Sequence, residues 1–325
     1  MLKSTFLLAF ALAGAFFIGG CNENTSDPTT TTKPNAPTAI MAQSVSESSV
    51  KIKWTAPTGT FDSYHVKIMD GTTLVKEDKA VAKTVTTYTA TNLTEGKAYS
   101  FEVMAVSGTE MSSAVKITWA PARRSTVSFK LYSSKNNTNG SGLNIFGTDN
   151  PSVKKVAEGA LWDICFDDEG GNFIGSPGVS RYVEEDANGD YVFKSAPSQV
   201  ARIVSLPRKV SGTDTTVARI YEGVSSLDDV YESQDLSVLA SDTRYAERLV
   251  NLNNVADKTK GIVFLVRYRP DPEKTDYYFA KVLVKSNGTS LVQGTGANAF
   301  VEVEVSYQKF LNMPYAGTKP GKGNN

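Results

Sequence analysis

Ser49-Val50-Lys51-Ile52-Lys53-Trp54 alternates apolar and polar residues with a period of two. Successive side chains of a strand point to opposite faces, so Val50, Ile52 and Trp54 share one face and Lys51 and Lys53 the other. Working outward, Tyr64, Val66 and Ile68 repeat the pattern, with His65 and Lys67 opposite. Tyr99, Phe101, Val103 and Ala105 make a third such face. Short alternating runs separated by turn residues predict an antiparallel sandwich of seven strands within about 100 residues. His65, on the polar face of its strand, is expected to be exposed.

These residues also carry a family resemblance. From Pro34 to about Pro121 the chain resembles a fibronectin type III domain. Trp54 stands where that family keeps a core tryptophan on its second strand, and Tyr64 where a tyrosine opens the third. Leu93, followed by Tyr99, is similar to the family's tyrosine corner, whose phenol ties a crossing loop to the sheet. Glu95 departs from the pattern, which often has proline there, and implies a looser loop. The resemblance implies a spacer or adhesive module without catalysis, its core marked by Trp54, Tyr64, Leu93 and Tyr99. The Arg-Gly-Asp tripeptide of integrin ligands does not occur. The domain is bounded at residues 36–121.

Ala120-Pro121-Ala122-Arg123-Arg124 reads as a hinge. Beyond it, residues 122–311 form a second, mostly antiparallel β domain with minor helix, so the fold class is all-β. Strands are expected at Val127–Tyr132, Ala160–Phe166, Tyr191–Lys194, Val200–Leu206, Val217–Tyr221, Ile262–Arg269, Tyr277–Lys285 and Phe300–Tyr307. Turns fall at Asn139-Gly140, Gly170-Gly171, Asn188-Gly189 and Asn287-Gly288. Asn-Gly pairs suit type I′ hairpins, because both central residues must accept positive φ. Ser226–Ser233 and Thr243–Leu252 are candidate short helices, and residues 312–325 read as a disordered tail.

Leu161-Trp162-Asp163-Ile164-Cys165-Phe166, then Ile262–Arg267, then Tyr278-Phe279-Ala280-Lys281-Val282, resembles the HmuY-like haem-binding lipoproteins of the Bacteroidetes. Axial haem ligation needs a suitably placed His, Met, Cys or Tyr. The second domain has no histidine and one methionine, Met313 at the edge of the tail. The resemblance therefore transfers no ligand, and haem is not expected.

At the start of the chain, Lys3 leads into an apolar run from Phe6 to Ile18, followed by Gly19-Gly20-Cys21. The run has the flanks of a secretory signal and is short for a permanent membrane span. Small residues directly before Cys21 resemble the lipobox of bacterial lipoproteins. That implies a signal peptide over residues 1–20 and lipidation of Cys21. Acyl chains contribute about 0.8 kcal/mol per buried methylene, so two or more anchor stably. Residues 21–35, rich in Thr, Asn, Asp and Pro, read as a flexible tether. Asn22 stands where the enterobacterial retention signal has aspartate, so the outer membrane is the expected location, on its cell-surface or periplasmic face.

The 325 residues contain 34 Lys+Arg and 34 Asp+Glu, a formal charge of zero that argues against a nucleic-acid binder. With two cysteines and one histidine, neither a disulfide framework nor a thiolate zinc cluster is expected. Cys165 reads as a buried inert thiol, since His65 lies in the other domain. Asp186-Ala187-Asn188-Gly189-Asp190 imitates a calcium loop but has Tyr191 and Pro197 where glycine and glutamate are needed. Asp167-Asp168-Glu169-Gly170-Gly171 reads as a solvated acidic turn. Gly294-Thr295-Gly296-Ala297-Asn298-Ala299 has dinucleotide-fingerprint spacing, yet an alternating strand follows where a helix is required. No catalytic, cofactor or metal site is assigned.

Trp162, Tyr277, Tyr278, Tyr307 and Tyr315 remain as aromatics able to stack on sugar rings, with core packing as their ordinary use. Tyr277-Tyr278-Phe279 puts rings on both faces of one strand, so Trp162, Tyr277 and Tyr278 are the candidate ligand contacts. The reading is a lipid-anchored, non-enzymatic envelope protein whose fibronectin type III spacer presents a domain for a glycan, peptide or surface protein. The alternatives are a periplasm-facing assembly lipoprotein and a glycosidase working with two carboxylates.

Overall fold

The computed structural model describes residues 32–147, 150–155, 162–168, 171–175, 183–185, 191–193, 215–231, 249–268 and 276–313. Cys21, the tether before residue 32, the Asp186–Asp190 turn, the Val200–Leu206 run and Tyr315 lie outside the described residues.

Strands β1 (Thr38–Ser46), β2 (Ser49–Thr55), β3 (Ser63–Asp70), β4 (Thr73–Ala82), β5 (Thr87–Ala90), β6 (Tyr99–Ser107), β7 (Glu110–Met111) and β8 (Val115–Trp119) form the N-terminal sandwich. One sheet runs β1-β2-β5, and the other β4-β3-β6 with β7 and β8 both on β6. Val50, Ile52, Trp54, Tyr64, Val66, Ile68, Phe101 and Val103 fill the space between them, as the alternation predicts. Trp54 meets Tyr64 edge-to-face, with ring centroids 5.2 Å apart.

His65 corrects one expectation, because it is buried at 6% exposure. β3 is a central strand, and side chains from the adjacent β4 and from β7, one strand beyond β6, close over its outer face. His65 Nε2 lies 2.9 Å from Glu77 on β4, and Nδ1 lies 3.5 Å from the Met111 sulfur on β7.

The chain then continues through β9 (Arg123–Arg124), β10 (Phe129–Tyr132), β11 (Gly142–Asn144), β12 (Ser152–Lys154), β13 (Ile164–Asp167) and β14 (Phe173–Gly175). β15 (Val183–Glu185) and β16 (Tyr191–Phe193) make a separate pair. β17 (Thr215–Val224), β18 (Leu249–Asn251), β19 (Gly261–Tyr268), β20 (Tyr278–Lys285), β21 (Val292–Gln293) and β22 (Phe300–Tyr307) follow. The larger sheet has the order β10-β22-β20-β19-β17, with β9 and β21 also on β22, and the smaller has the order β12-β11-β13-β14-β18. Every pairing among the described residues is antiparallel, for example β19 with β20 and β20 with β22.

The two sheets enclose a second core of Leu131, Leu143, Ile164, Phe166, Phe264, Val282, Val303 and their neighbours. Their large residues come from alternate positions of β19, β20 and β22, which is why the pleat directs them to one side. Cys165 is buried, as expected.

β19 and β20 are buried almost end to end rather than at alternate positions. Their second face is covered as well. Leu265, Tyr277 and Phe279 join the core of the N-terminal sandwich, while Val263 and Leu283 pack with Leu227 and Val230. The larger sheet is thus a middle layer.

Other local expectations change. Ser226–Ser233 contains a single 3-10 turn at Leu227–Asp229, closed by a capping box from Ser226 and Asp229. Within Thr243–Leu252, the described residues Leu249–Asn251 form a strand. Neither Asn-Gly pair in the described residues makes a type I′ turn. At Asn287-Gly288 only the glycine has positive φ, and the Asn287 side chain caps Thr289 and Ser290. Gly140 instead allows close approach, since a Cβ there would stand 2.4 Å from the Lys154 carbonyl oxygen.

Candidate functional site

The segment Ala120–Arg124, expected to hinge, is welded into both sandwiches. Ala120 and Ala122 have no exposed surface. Ser44 Oγ donates to the Ala120 carbonyl at 2.7 Å, and Trp119 Nε1 donates to Ser44 Oγ at 2.9 Å. From the other side, Gln308 Nε2 donates to the Pro121 carbonyl at 3.0 Å. Arg123 and Arg124 then pair with Tyr307 and Ser306 on β22. An Ala-Pro-Ala run looks mobile in isolation, but here its backbone groups are consumed by neighbours.

Both arginine side chains reach back across the junction. Arg123 makes a two-pronged ion pair to Glu95, at 2.7 and 2.8 Å. Arg124 donates to Asp228 at 2.7 Å and to the Ser44 carbonyl at 2.9 Å. The hydrogen bond to Glu95 raises the Arg123 pKa above its ordinary value, with burial working in the opposite direction. More cations lie in the interface itself. Lys281 Nζ sits 5.5 Å from the Trp119 ring, and the Arg267 guanidinium 4.9 Å from the Tyr277 ring.

A cleft of about 430 Å³ opens beside this junction, walled by Glu47, Arg123, Arg124, Thr126, Asn150 and Tyr307. A second, of about 210 Å³, is walled by Phe146, Tyr278, Tyr307, Gln308 and Lys309. Tyr307 lines both. Its hydroxyl donates to Asn150 Oδ1 at 3.3 Å, and burial pushes the phenol pKa up while Arg123 pulls it down.

The smaller cleft borders a cluster of three rings. Tyr268 and Tyr278 are direct cross-strand partners on β19 and β20, with centroids 6.2 Å apart and planes 11° from parallel. Phe146 stands 5.9 Å from each, nearly parallel to both. All three are half-buried, at the end of the inter-sheet core where the strands run out. The loop carrying Phe146 is held by Asp163, whose Oδ2 accepts from the N–H groups of Ile145 at 2.6 Å and Phe146 at 3.0 Å.

The three aromatics expected to contact ligand therefore separate. Trp162 is buried at 2% exposure, packed so closely on Gly142 that a Cβ there would meet the indole at 3.1 Å. Tyr277 is buried at 6%, under Arg267 and beside Phe279. Neither offers a ring face to solvent. Tyr278 alone of the three reaches the cleft. Sequence reasoning missed Tyr268 and Phe146. Tyr268 ends an apolar run facing Tyr278, a signal that becomes legible only once the register is known.

Residues 35–118 match the family model described as the fibronectin type III domain. This part of the chain is a fibronectin type III domain. Among solved structures, the fibronectin type III domain of the human collagen alpha-1(XX) chain is 22% identical, over 31% of this chain and 96% of its own, with a TM-score of 0.27. A crystal structure of FN3tt is 20% identical, over 27% of this chain and 92% of its own, with a TM-score of 0.23. A computationally redesigned β-sandwich protein is 19% identical, over 27% and 89%, with a TM-score of 0.25. No curated protein matches the chain.

Within the fibronectin type III domain the tyrosine corner is formed. The Thr94 N–H donates to Tyr99 Oη at 3.0 Å, and Leu93 N–H donates to the Ser48 carbonyl at 2.9 Å. Trp54, Tyr64, Leu93 and Tyr99 are all buried. Glu95, expected to loosen the loop, instead ties it to Arg123. The residue that departs from the family pattern is the one that clamps the domain to the C-terminal sandwich.

Proposed function

We propose that this is a lipid-anchored cell-envelope protein, held through Cys21 to the outer membrane, which binds a ligand rather than transforming one. The fibronectin type III domain serves as a rigid spacer, and the C-terminal sandwich presents the binding surface. The observation that carries this reading is the pair of clefts meeting at Tyr307, bordered by the Phe146, Tyr268 and Tyr278 rings. Sites of this kind, concave and aromatic with a few fixed polar groups, favour the space between domains. The welded junction supports the spacer role, because it fixes the clefts in orientation relative to the N-terminal end.

Two measurements test the proposal. Metabolic labelling with a clickable fatty acid should tag the chain and fail on Cys21→Ser; labelling that survives the substitution removes the anchor. Protease shaving of intact cells, with a periplasmic protein as control, should digest this chain first. Protection until the outer membrane is opened would direct attention to an assembly role facing the periplasm.

A further inference from the structure

Resting on that reading of the two clefts, we infer that their ligand is an uncharged glycan, with one pyranose ring seated against the Phe146–Tyr268–Tyr278 cluster. The charge balance of the walls points to it. Each arginine at the larger cleft is matched, Arg123 by Glu95 and Arg124 by Asp228, and Glu47 adds a carboxylate to the lining. An anionic ligand would compete with those carboxylates and face Glu47. A cationic one would face two guanidinium groups, and an apolar one would strip water from Thr126, Asn150 and the arginines without replacing its hydrogen bonds. A neutral, hydroxyl-rich ligand satisfies donors and acceptors of both kinds.

The smaller cleft supplies the complementary half. Aromatic rings carry a negative face, and the C–H groups along one side of a pyranose are weakly positive. Phe146 and Tyr278, half-buried and near-parallel, line the smaller cleft together with Lys309, and Tyr268 packs against both rings. Strand addition by an extended peptide fits less well. Pro151, which lacks an N–H, stands directly before the edge strand β12 at the larger cleft.

The test uses the detergent-solubilised full chain against immobilised neutral polysaccharides, sialylated glycans and a library of extended peptides. Binding to a neutral glycan is expected, weakened about tenfold by Tyr278→Leu and by Phe146→Leu with the melting temperature held. Tyr278→Phe, which keeps the ring, should retain most of the affinity and separates stacking from folding. Neutral-glycan binding indifferent to all three variants overturns the site. Capture of sialylated glycans alone overturns the charge argument. Capture of peptides alone overturns the glycan and leaves the binding role standing. Failure to bind anything, together with protection from the shaving protease, removes the binding role itself.

Discussion

The two sandwiches bury their strands in different ways. In the fibronectin type III domain, β2 alternates between buried and partly exposed residues, because one face of its sheet meets the core and the other meets water. In the C-terminal domain, β19 and β20 are covered on both faces and show runs of buried residues instead. The difference lies in what stands behind each sheet. Behind β2 stand Lys51 and Lys53, only half-buried; behind β19 and β20 stand the first domain and the Leu227–Val230 segment. Pairs of domains in one chain are usually joined by modest, polar interfaces. This one is continued by Leu265, Tyr277 and Phe279 inside the other domain's core.

The largest expected effect is on that shared core. Phe279→Ala should cost about 3–5 kcal/mol. Calorimetry should show the whole described structure melting earlier in one transition. If two transitions separate and only the later domain shifts, the two sandwiches are independent and the comparison fails. Gly140→Ala comes next, because its new Cβ meets a backbone oxygen that cannot swing away. A loss of about 1–3 kcal/mol is expected, shifting the same single transition, and urea melts would detect it.

Tyr99→Phe removes the acceptor of the Thr94 N–H and should cost about 1–2 kcal/mol. Hydrogen exchange should speed up at Thr94 while β19 stays protected; equal acceleration in both would mean the corner supports the junction too. Arg123→Gln breaks a two-pronged but partly exposed pair, worth about 1 kcal/mol after solvent screening. Its raised pKa contributes stability that is fully present below the ordinary value and is lost only at extreme alkaline pH. A stability difference from wild type that is flat between about pH 6 and 9 is therefore expected, on the order of that single pair.

The smallest effects separate the domains by pH. The hydrogen bond from Lys79, with a further contribution from His65, lowers the Glu77 pKa below 4.5. Its stabilising contribution is present above that value and fades as acid protonates it through its folded pKa. Hydrogen bonds to Glu304 and Glu302 raise the Lys285 pKa above 10.5, so its contribution is present below that value and fades in strong base. Glu77→Gln should blunt acid sensitivity and Lys285→Gln alkaline sensitivity, read as melting temperature against pH. Exchanged behaviour would refute the assignment.

The N-terminal fold is legible in the sequence because the outer residues of strands such as β2 stay partly exposed, so Val50, Ile52 and Trp54 announce their face by period alone. Strand runs of the C-terminal domain are legible too, and their pairings are not. Hydrophobicity places Ile262–Val266 in a sheet but cannot reveal that Tyr268 faces Tyr278, since register depends on partners distant in sequence. Of the candidate site, only Tyr278 is legible. His65 and the Ala120–Arg124 segment mislead for one common reason. Each is polar or flexible by local chemistry and is enclosed by neighbours that local chemistry does not name.

β1 begins at the N-terminal end of the described structure and finishes at Ser46, whose carbonyl accepts from Ala122 at the junction. A pull between residue 32 and the C-terminal sandwich therefore runs along the axis of this strand. Its ladder to β2 lies across that direction, so tension loads the rungs together rather than peeling them one at a time. The fibronectin type III domain is mounted in shear, the geometry in which a paired strand best resists mechanical extension.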